Sequence, residues 1–343
     1  MLNICFYELN VCIKMRGKNG VHGLPINKSE DIYALLKIAL YADDVTLFLR
    51  DRNDIKLALD ILEQFANISG LEINARKTEA MWLGSSIARG ELCFDLNWKK
   101  KLKLLGIFFC NSVPASNLSE NWESRIENMS RVISTWHKRD LGYLGKICIV
   151  NSFLVPQLVY VMRVINLPEK VLNRVNTMLY HFLWKRKTTN KKAFEKVKRC
   201  VLKSDFEKGG LCMPDIKIMQ QSFLLEWIRK LHTATVTEKW SFIPISQFSQ
   251  LGRDLTCFQA KIIWKQFKKE HVNLAPFWEE ALKVWTENNT NTEIENPLLV
   301  TVWNNKNIMY RNNVLFFKKW IKCGIALVAD ICVNNRLVIP RTD

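Results

Sequence analysis

Tyr41-Ala42-Asp43-Asp44 sets two carboxylates side by side between two apolar runs, Ile38-Ala39-Leu40 and Val45-Thr46-Leu47-Phe48-Leu49. Short β-type runs joined through a polar pair predict a tight hairpin with the carboxylates at its tip. Two carboxylates about 5 Å apart repel by ~3 kcal/mol at an effective dielectric of 20, and by under ~1 kcal/mol in water. In an exposed turn they coexist unaided; in a partly buried site they need a cation or a raised pKa. Magnesium takes oxygen ligands, commonly one or two carboxylates plus substrate phosphates. Two such ions about 4 Å apart can activate a 3′ hydroxyl and stabilise a leaving pyrophosphate. The hairpin supplies part of that clamp, and a further carboxylate must come from another strand. The same pair also fits an ordinary solvated turn, where aspartates are common.

The elements that must hold this tip follow from periodicity. Ile55, Leu59, Leu62, Phe65 and Ala66 predict an amphipathic helix behind the hairpin of residues 36–50, capped at its C-terminus by Gly70. Residues 71–73 and 80–83 read as short strands, and 102–109 as one more around Gly106. Residues 2–15 read as a short helix broken at 16–20. From about residue 117 the pattern turns helical, with Trp122, Ile126, Met129, Ile133 and Trp136 in one stripe. An apolar segment over 144–163 is expected to kink at Pro156. Pro168 and Pro214-Asp215 stand at helix starts. Residues 254–287 read as helical, 288–296 as a polar linker and 297–335 as mixed. The expected fold class is α+β, divided at 1–110, 111–184, 185–215 and 216–343.

Charge adds a partner class. The 343 residues carry a net charge of +17. Lys and Arg against Asp and Glu give 15 − 13 = +2 for residues 1–110, 19 − 9 = +10 for 111–220 and 16 − 11 = +5 for 221–343. Such an excess predicts a polyanionic partner, nucleic acid ahead of a membrane. Residues 185–208 alone hold ten Lys/Arg and three Asp/Glu. That run, with Lys185, Arg186, Lys187, Lys191 and Lys192, reads equally as a solvated face or as a nucleic-acid contact. The ten cysteines form no Cys-x-x-Cys pair and fit buried free thiols. No apolar run reaches the length of a membrane span, and Glu8 interrupts the first apolar stretch. An intracellular protein, nuclear or cytoplasmic and not secreted, is expected.

The order of these elements carries a resemblance. The apolar hairpin, the helix, Gly70-Leu71-Glu72-Ile73-Asn74-Ala75-Arg76-Lys77-Thr78 and Leu104-Leu105-Gly106-Ile107 together resemble the later palm of a reverse transcriptase. The closest likeness is to the enzymes of non-LTR (LINE-type) retrotransposons. Trp136, Gly145-Lys146 to Pro156-Gln157, Leu167-Pro168, Phe182-Leu183-Trp184 and Gly209-Gly210-Leu211-Cys212-Met213-Pro214-Asp215 resemble the thumb and the region downstream of it. The likeness is close over residues 1–240 and loose over 241–343.

The resemblance implies a partial palm followed by an all-helical thumb and C-terminal region. It implies that Asp43 and Asp44 are catalytic ligands of Mg2+ (or Mn2+), and that Tyr41 lies beside the primer terminus. Lys77 matches the lysine that protonates leaving pyrophosphate, and Leu104, Leu105 and Gly106 match the strand supporting the primer end. The implied partners are an RNA template and a DNA primer, with dNTP only where the site is complete. One departure stands out: the strand bearing the family's first catalytic aspartate, and the fingers, find no match upstream of Tyr41. The expectation is an N-terminally truncated RNA-directed DNA polymerase fragment, inactive alone. The alternative is a non-catalytic helical remnant that binds nucleic acid.

Overall fold

The computed structural model describes residues 24–25, 35–36, 38–41, 44–71, 74, 76–83, 94–184, 195–234, 238–251, 255, 258, 274–288, 297–333 and 336–337. The expected helix over 2–15 lies outside the described residues, as does the linker expected over 288–296 except Asn288, which ends a helix. Helices and small two-stranded sheets mix, as the α+β reading requires. The chain divides into two compact units, Met1–Leu102 with Ala234–Cys257 and Phe317–Asp343, and Lys103–Thr233 with Phe258–Phe316.

In the first unit β1 (Leu24–Pro25) pairs with β2 (Leu35–Leu36), and β3 (Ile38–Tyr41) pairs antiparallel with β4 (Asp44–Leu47). Helix α1 (Arg52–Ser69) follows. Its start is fixed by Asp51, whose carboxylate accepts from the Asp54 amide at 3.0 Å, satisfying one of the donors that every helix start leaves over. Its end is fixed by Gly70 at φ +72°, whose amide reaches the Ala66 carbonyl. Only glycine takes that left-handed angle at no steric cost. The most buried residues of α1 are Asp54, Ile55, Ala58 and Ile61. The predicted stripe at Leu59, Leu62, Phe65 and Ala66 is half-buried instead, because the face turned to the hairpin lies slightly to one side of the most hydrophobic one. Ile38, Leu47, Leu49, Leu57, Leu62 and Phe65 pack around Ala58 and Ile61.

β5 (Glu79–Ala80) pairs parallel with β6 (Asn97–Trp98). The single strand expected over 102–109 is a hairpin, β7 (Lys101–Leu104) against β8 (Ile107–Cys110). Leu105 and Gly106 both take positive φ, +46° and +81°, and reverse the chain.

The second unit is built on helices α2 (Glu123–His137), α3 (Tyr143–Ile149), α4 (Pro156–Met162) and α5 (Glu169–Leu183). Pro156 has no amide hydrogen to give to the carbonyl four residues back. The chain answers with one wide turn over Val150–Leu154, in which the Val155 amide bonds the Val150 carbonyl at 2.9 Å. The two arms meet at 41°. The expected kink is therefore present. Met129, Val150, Leu154, Leu158, Val161, Met162, Val175 and Phe182 are fully buried in one core. Helix α6 (Arg199–Lys203) precedes α7 (Ile216–Thr233), and Asp215 caps α7 by accepting from the Lys217 and Ile218 amides. Helix α8 (Phe242–Phe248) belongs to the first unit. Of the helix expected over 254–287, the described α-helical part is α9 (Pro276–Asn288), which packs on α7. No single helix among the described residues is long and apolar enough to cross a membrane. The described cysteines, Cys110, Cys148, Cys200, Cys212, Cys323 and Cys332, are free.

Two buried polar side chains tie this unit together. Asn121 is 0% exposed. Its carboxamide accepts from the Phe108 amide at 2.8 Å and donates to the Phe108 and Ala115 carbonyls at 2.9 Å each. Lys146 is 3% exposed, and its ammonium donates at 3.0 Å to the Leu183 carbonyl at the end of α5, where a cation complements the helix dipole. It also lies over the Phe182 ring, 5.8 Å from the centroid.

Asn121→Ala would leave the Phe108 amide and carbonyl without their partner, and chemical denaturation should show a loss of about 2–3 kcal/mol. His137 packs edge-on against Phe182; partial burial, and then the Lys146 charge, hold its imidazole below the ordinary value of 6.5. The unfolded chain takes up that proton near 6.5 while the folded chain resists. The neutral imidazole therefore contributes stability above 6.5, which is lost as pH falls below it. In Lys146→Met the titration of His137, followed by NMR, should move up toward the ordinary value.

Candidate functional site

The acidic hairpin is positioned by register and by its packing on α1. Cross-strand partners are Ile38 with Leu47, Ala39 with Thr46, Leu40 with Val45 and Tyr41 with Asp44. Side chains alternate faces along a strand, so Ile38 and Leu47 share the face that covers α1. Tyr41 and Asp44 close the ladder at the far end, and both are exposed, Tyr41 at 67%. Ala42 and Asp43 lie outside the described residues. The expected hairpin is thus present with Asp44 at its tip.

Lys77 sits in a turn built by Asn74. The Asn74 carbonyl accepts from the Lys77 and Thr78 amides at 3.0 Å each, and its side-chain oxygen accepts from the Lys77 amide at 3.2 Å. Asparagine favours such turns because its side chain mimics a backbone acceptor. The turn leads into β5, where Glu79 pairs with Lys99 across to the segment following β6. Trp82 and Trp98 stack in the same region with centroids 4.6 Å apart. Lys77 is exposed.

Leu104, Leu105 and Gly106 lie in the second unit, at and after the end of β7. The Leu105 side chain is 49% exposed. A leucine in the left-handed region costs about 1–2 kcal/mol, so the neighbouring structure must hold it there. The Leu105 carbonyl accepts from the Tyr160 hydroxyl of α4, and the Tyr160 ring lies 3.7 Å from where a Gly106 Cβ would stand. The hairpin base is fixed by Ile107, buried in the core, and by the Asn121 bonds to Phe108.

Lys185, Arg186, Lys187, Lys191 and Lys192 lie outside the described residues. The C-terminal part of the basic run is described, and there several cations are engaged. Arg199 pairs with Glu195 and sits 4.2 Å from the Tyr180 ring centroid, and Lys203 pairs with Asp215. Burial pushes the Asp215 carboxyl up, but the Lys203 ammonium and two helix amides outweigh it and leave it below the ordinary value.

Another cationic element escaped the sequence reading. Lys99, Lys100, Lys101 and Lys103 lie on and before β7, and all four are exposed. The signal was there: Lys101-Leu102-Lys103-Leu104 alternates with period two, which sends lysines to one face and leucines to the other. Lys103 lies over the Phe108 ring at 5.4 Å.

Asp44 offers the hard oxygen that magnesium takes. Among the described residues, however, no three His, Cys, Asp or Glu side chains gather as a metal group. The described residues alone therefore do not make a magnesium site.

Residues 24–109, from β1 to β8, match the reverse transcriptase (RNA-dependent DNA polymerase) family. The chain is 24% identical over 258 residues to a Xenopus laevis protein described as "Transposon TX1 uncharacterized 149 kDa protein", covering 73% of this chain and 19% of that protein. It is 29% identical over 178 residues to an Arabidopsis thaliana protein described as "Putative ribonuclease H protein", covering 47% of this chain and 28% of that one. The chain thus spans under a third of the length of either relative. The acidic hairpin lies inside the segment that matches the reverse transcriptase family, and the chain resembles the enzymes of non-LTR (LINE-type) retrotransposons.

Proposed function

We propose that this chain contributes the later palm and the thumb of an RNA-directed DNA polymerase of the LINE type, and that it holds a DNA primer on an RNA template. The observation that supports this best is the Tyr41–Asp44 hairpin, packed on α1 within the segment that matches the family. Reverse transcriptases use a divalent metal. Asp43 and Asp44 would be this chain's ligands to it, as carboxylates of the kind magnesium selects. When bound, that metal supplies charge neutralisation at the transferring phosphate. Tyr41, exposed at the ladder's end, would face the primer terminus. Lys77, exposed in its Asn74 turn, would meet the triphosphate. Leu104, Leu105 and Gly106 would support the primer strand. The lysines and arginines of 185–208 would track the phosphate backbone by charge.

A complete two-ion clamp needs one more carboxylate than the Asp43–Asp44 pair. As an isolated polypeptide the 343 residues are therefore proposed to bind primer–template without extending it. The second reading, non-catalytic nucleic-acid binding by the helical part, draws on the +10 carried by residues 111–220.

Calorimetric titration of Mn2+ into the chain bound to an RNA–DNA primer–template separates the two. Asp43→Asn with Asp44→Asn should weaken Mn2+ binding while leaving salt-dependent nucleic-acid affinity intact. Unchanged Mn2+ binding in that double variant would leave only the second reading. Lys191→Glu with Lys192→Glu should lower the slope of log affinity against log salt by about 2, if each lysine neutralises one phosphate. Asp43-dependent DNA synthesis by the isolated chain would overturn the proposed inactivity.

A further inference from the structure

Tyr160 occupies an unusual position for an exposed aromatic. The residue is 51% exposed, yet its helix neighbours Leu158, Val161 and Met162 are fully buried. Its hydroxyl does not face solvent alone: it donates to the carbonyl of Leu105, 55 residues earlier in the chain. Leu105 holds a left-handed backbone without being glycine, and Gly106 continues that angle. The turn therefore has an anchor at its base, through Asn121 and Phe108, and a second at its apex, through Tyr160.

The direction of Tyr160 is set by the bend at Pro156. The 41° change of axis starts α4 anew, and Tyr160 lies one turn into the new arm. At the base, Arg125 of α2 donates to the Asn121 carbonyl at 3.3 Å. The bent helix and the base clamp thus hold the same hairpin, one through Tyr160 and Leu105, the other through Asn121 and Phe108.

We infer that Tyr160 is a positioning residue, which locks the Leu104-Leu105-Gly106 turn in the one conformation that presents the exposed Leu105 side chain to the end of a nucleic-acid strand. This rests on the proposed reading of that turn as the support for the primer terminus. It adds a residue that the reading does not contain, on a different element, acting through a backbone carbonyl. A tyrosine suits the task because its rigid ring spans the gap and its hydroxyl donates to a carbonyl whose orientation fixes the turn.

The test compares two probes on the full chain: an RNA–DNA duplex with a recessed DNA 3′ end, and the same duplex with flush ends. The wild-type chain should prefer the recessed end. Tyr160→Phe, which removes only the hydroxyl, should reduce that preference about fivefold, the loss of one hydrogen bond's worth of ordering. Its thermal midpoint should stay put while hydrogen exchange at the Gly106 and Ile107 amides speeds up. Placing 4-aminophenylalanine at position 160 restores a donor and should restore the preference. Retained preference in Tyr160→Phe overturns the inference while leaving the primer-support reading intact. Equal weakening on both probes with a lowered midpoint also overturns it, as a merely structural effect. A wild-type chain without any preference defeats the primer-support reading itself, and the inference with it.

Discussion

A missing amide hydrogen at Pro156 governs the larger unit. Without it, the wide turn over Val150–Leu154 becomes the way to keep the backbone bonded. That turn bends the axis by 41°. The apolar stripe Ile147, Val150, Leu154, Leu158 and Val161 then runs along a curved core instead of leaving it along a straight line, and all five are buried. Both arms contribute to one cluster with α2 and α5. Burial of this kind contributes about 25 cal/mol per Å2 of apolar surface, far more than any single surface ion pair. The Glu123–Arg174 contact between α2 and α5, with both side chains about half exposed, adds roughly 0–1 kcal/mol at most.

Packing alone would tolerate several arrangements of such helices. The buried polar groups remove the alternatives, because burying one costs free energy unless it is hydrogen-bonded. Asn121 offers two donors and an acceptor, and each finds a partner on β8 or the turn after it. Lys146 must end at the last carbonyl of α5 or leave a charge in an apolar core. These two residues therefore choose the register between the β7–β8 hairpin, α2, α3 and α5. The hairpin that carries Leu105 is specified by the helices behind it.

How much could be read from the sequence depends on the range of each interaction. Gly70, Pro156 and the apolar runs around Tyr41–Asp44 act within a few residues, and each predicted its element. Leu105–Gly106 did not show as a turn, because a leucine in the left-handed region contradicts its own preference. The contacts that hold it come from residues 13 to 55 positions away. The burial of Lys146 was hidden for the same reason: its partner is 37 residues on. The buried face of α1 differs from the expected one by part of a turn, since hydrophobicity marks an apolar stripe but not the side on which the hairpin docks. Of the candidate site, Asp44, Lys77 and Leu104-Leu105-Gly106 stood out as motifs, the last three as part of a strand and not as a turn. Tyr160 was not, because nothing local distinguishes it from any other exposed aromatic on a helix.

The acidic tip differs in kind from the rest. Asp44 is exposed, so its repulsion with a neighbouring carboxylate is screened to under ~1 kcal/mol. The hairpin below it is held by Ile38 and Leu47 against Ala58 and Ile61. Neither part of that arrangement needs a cation, so the hairpin's fold rests on its register and on its packing against α1.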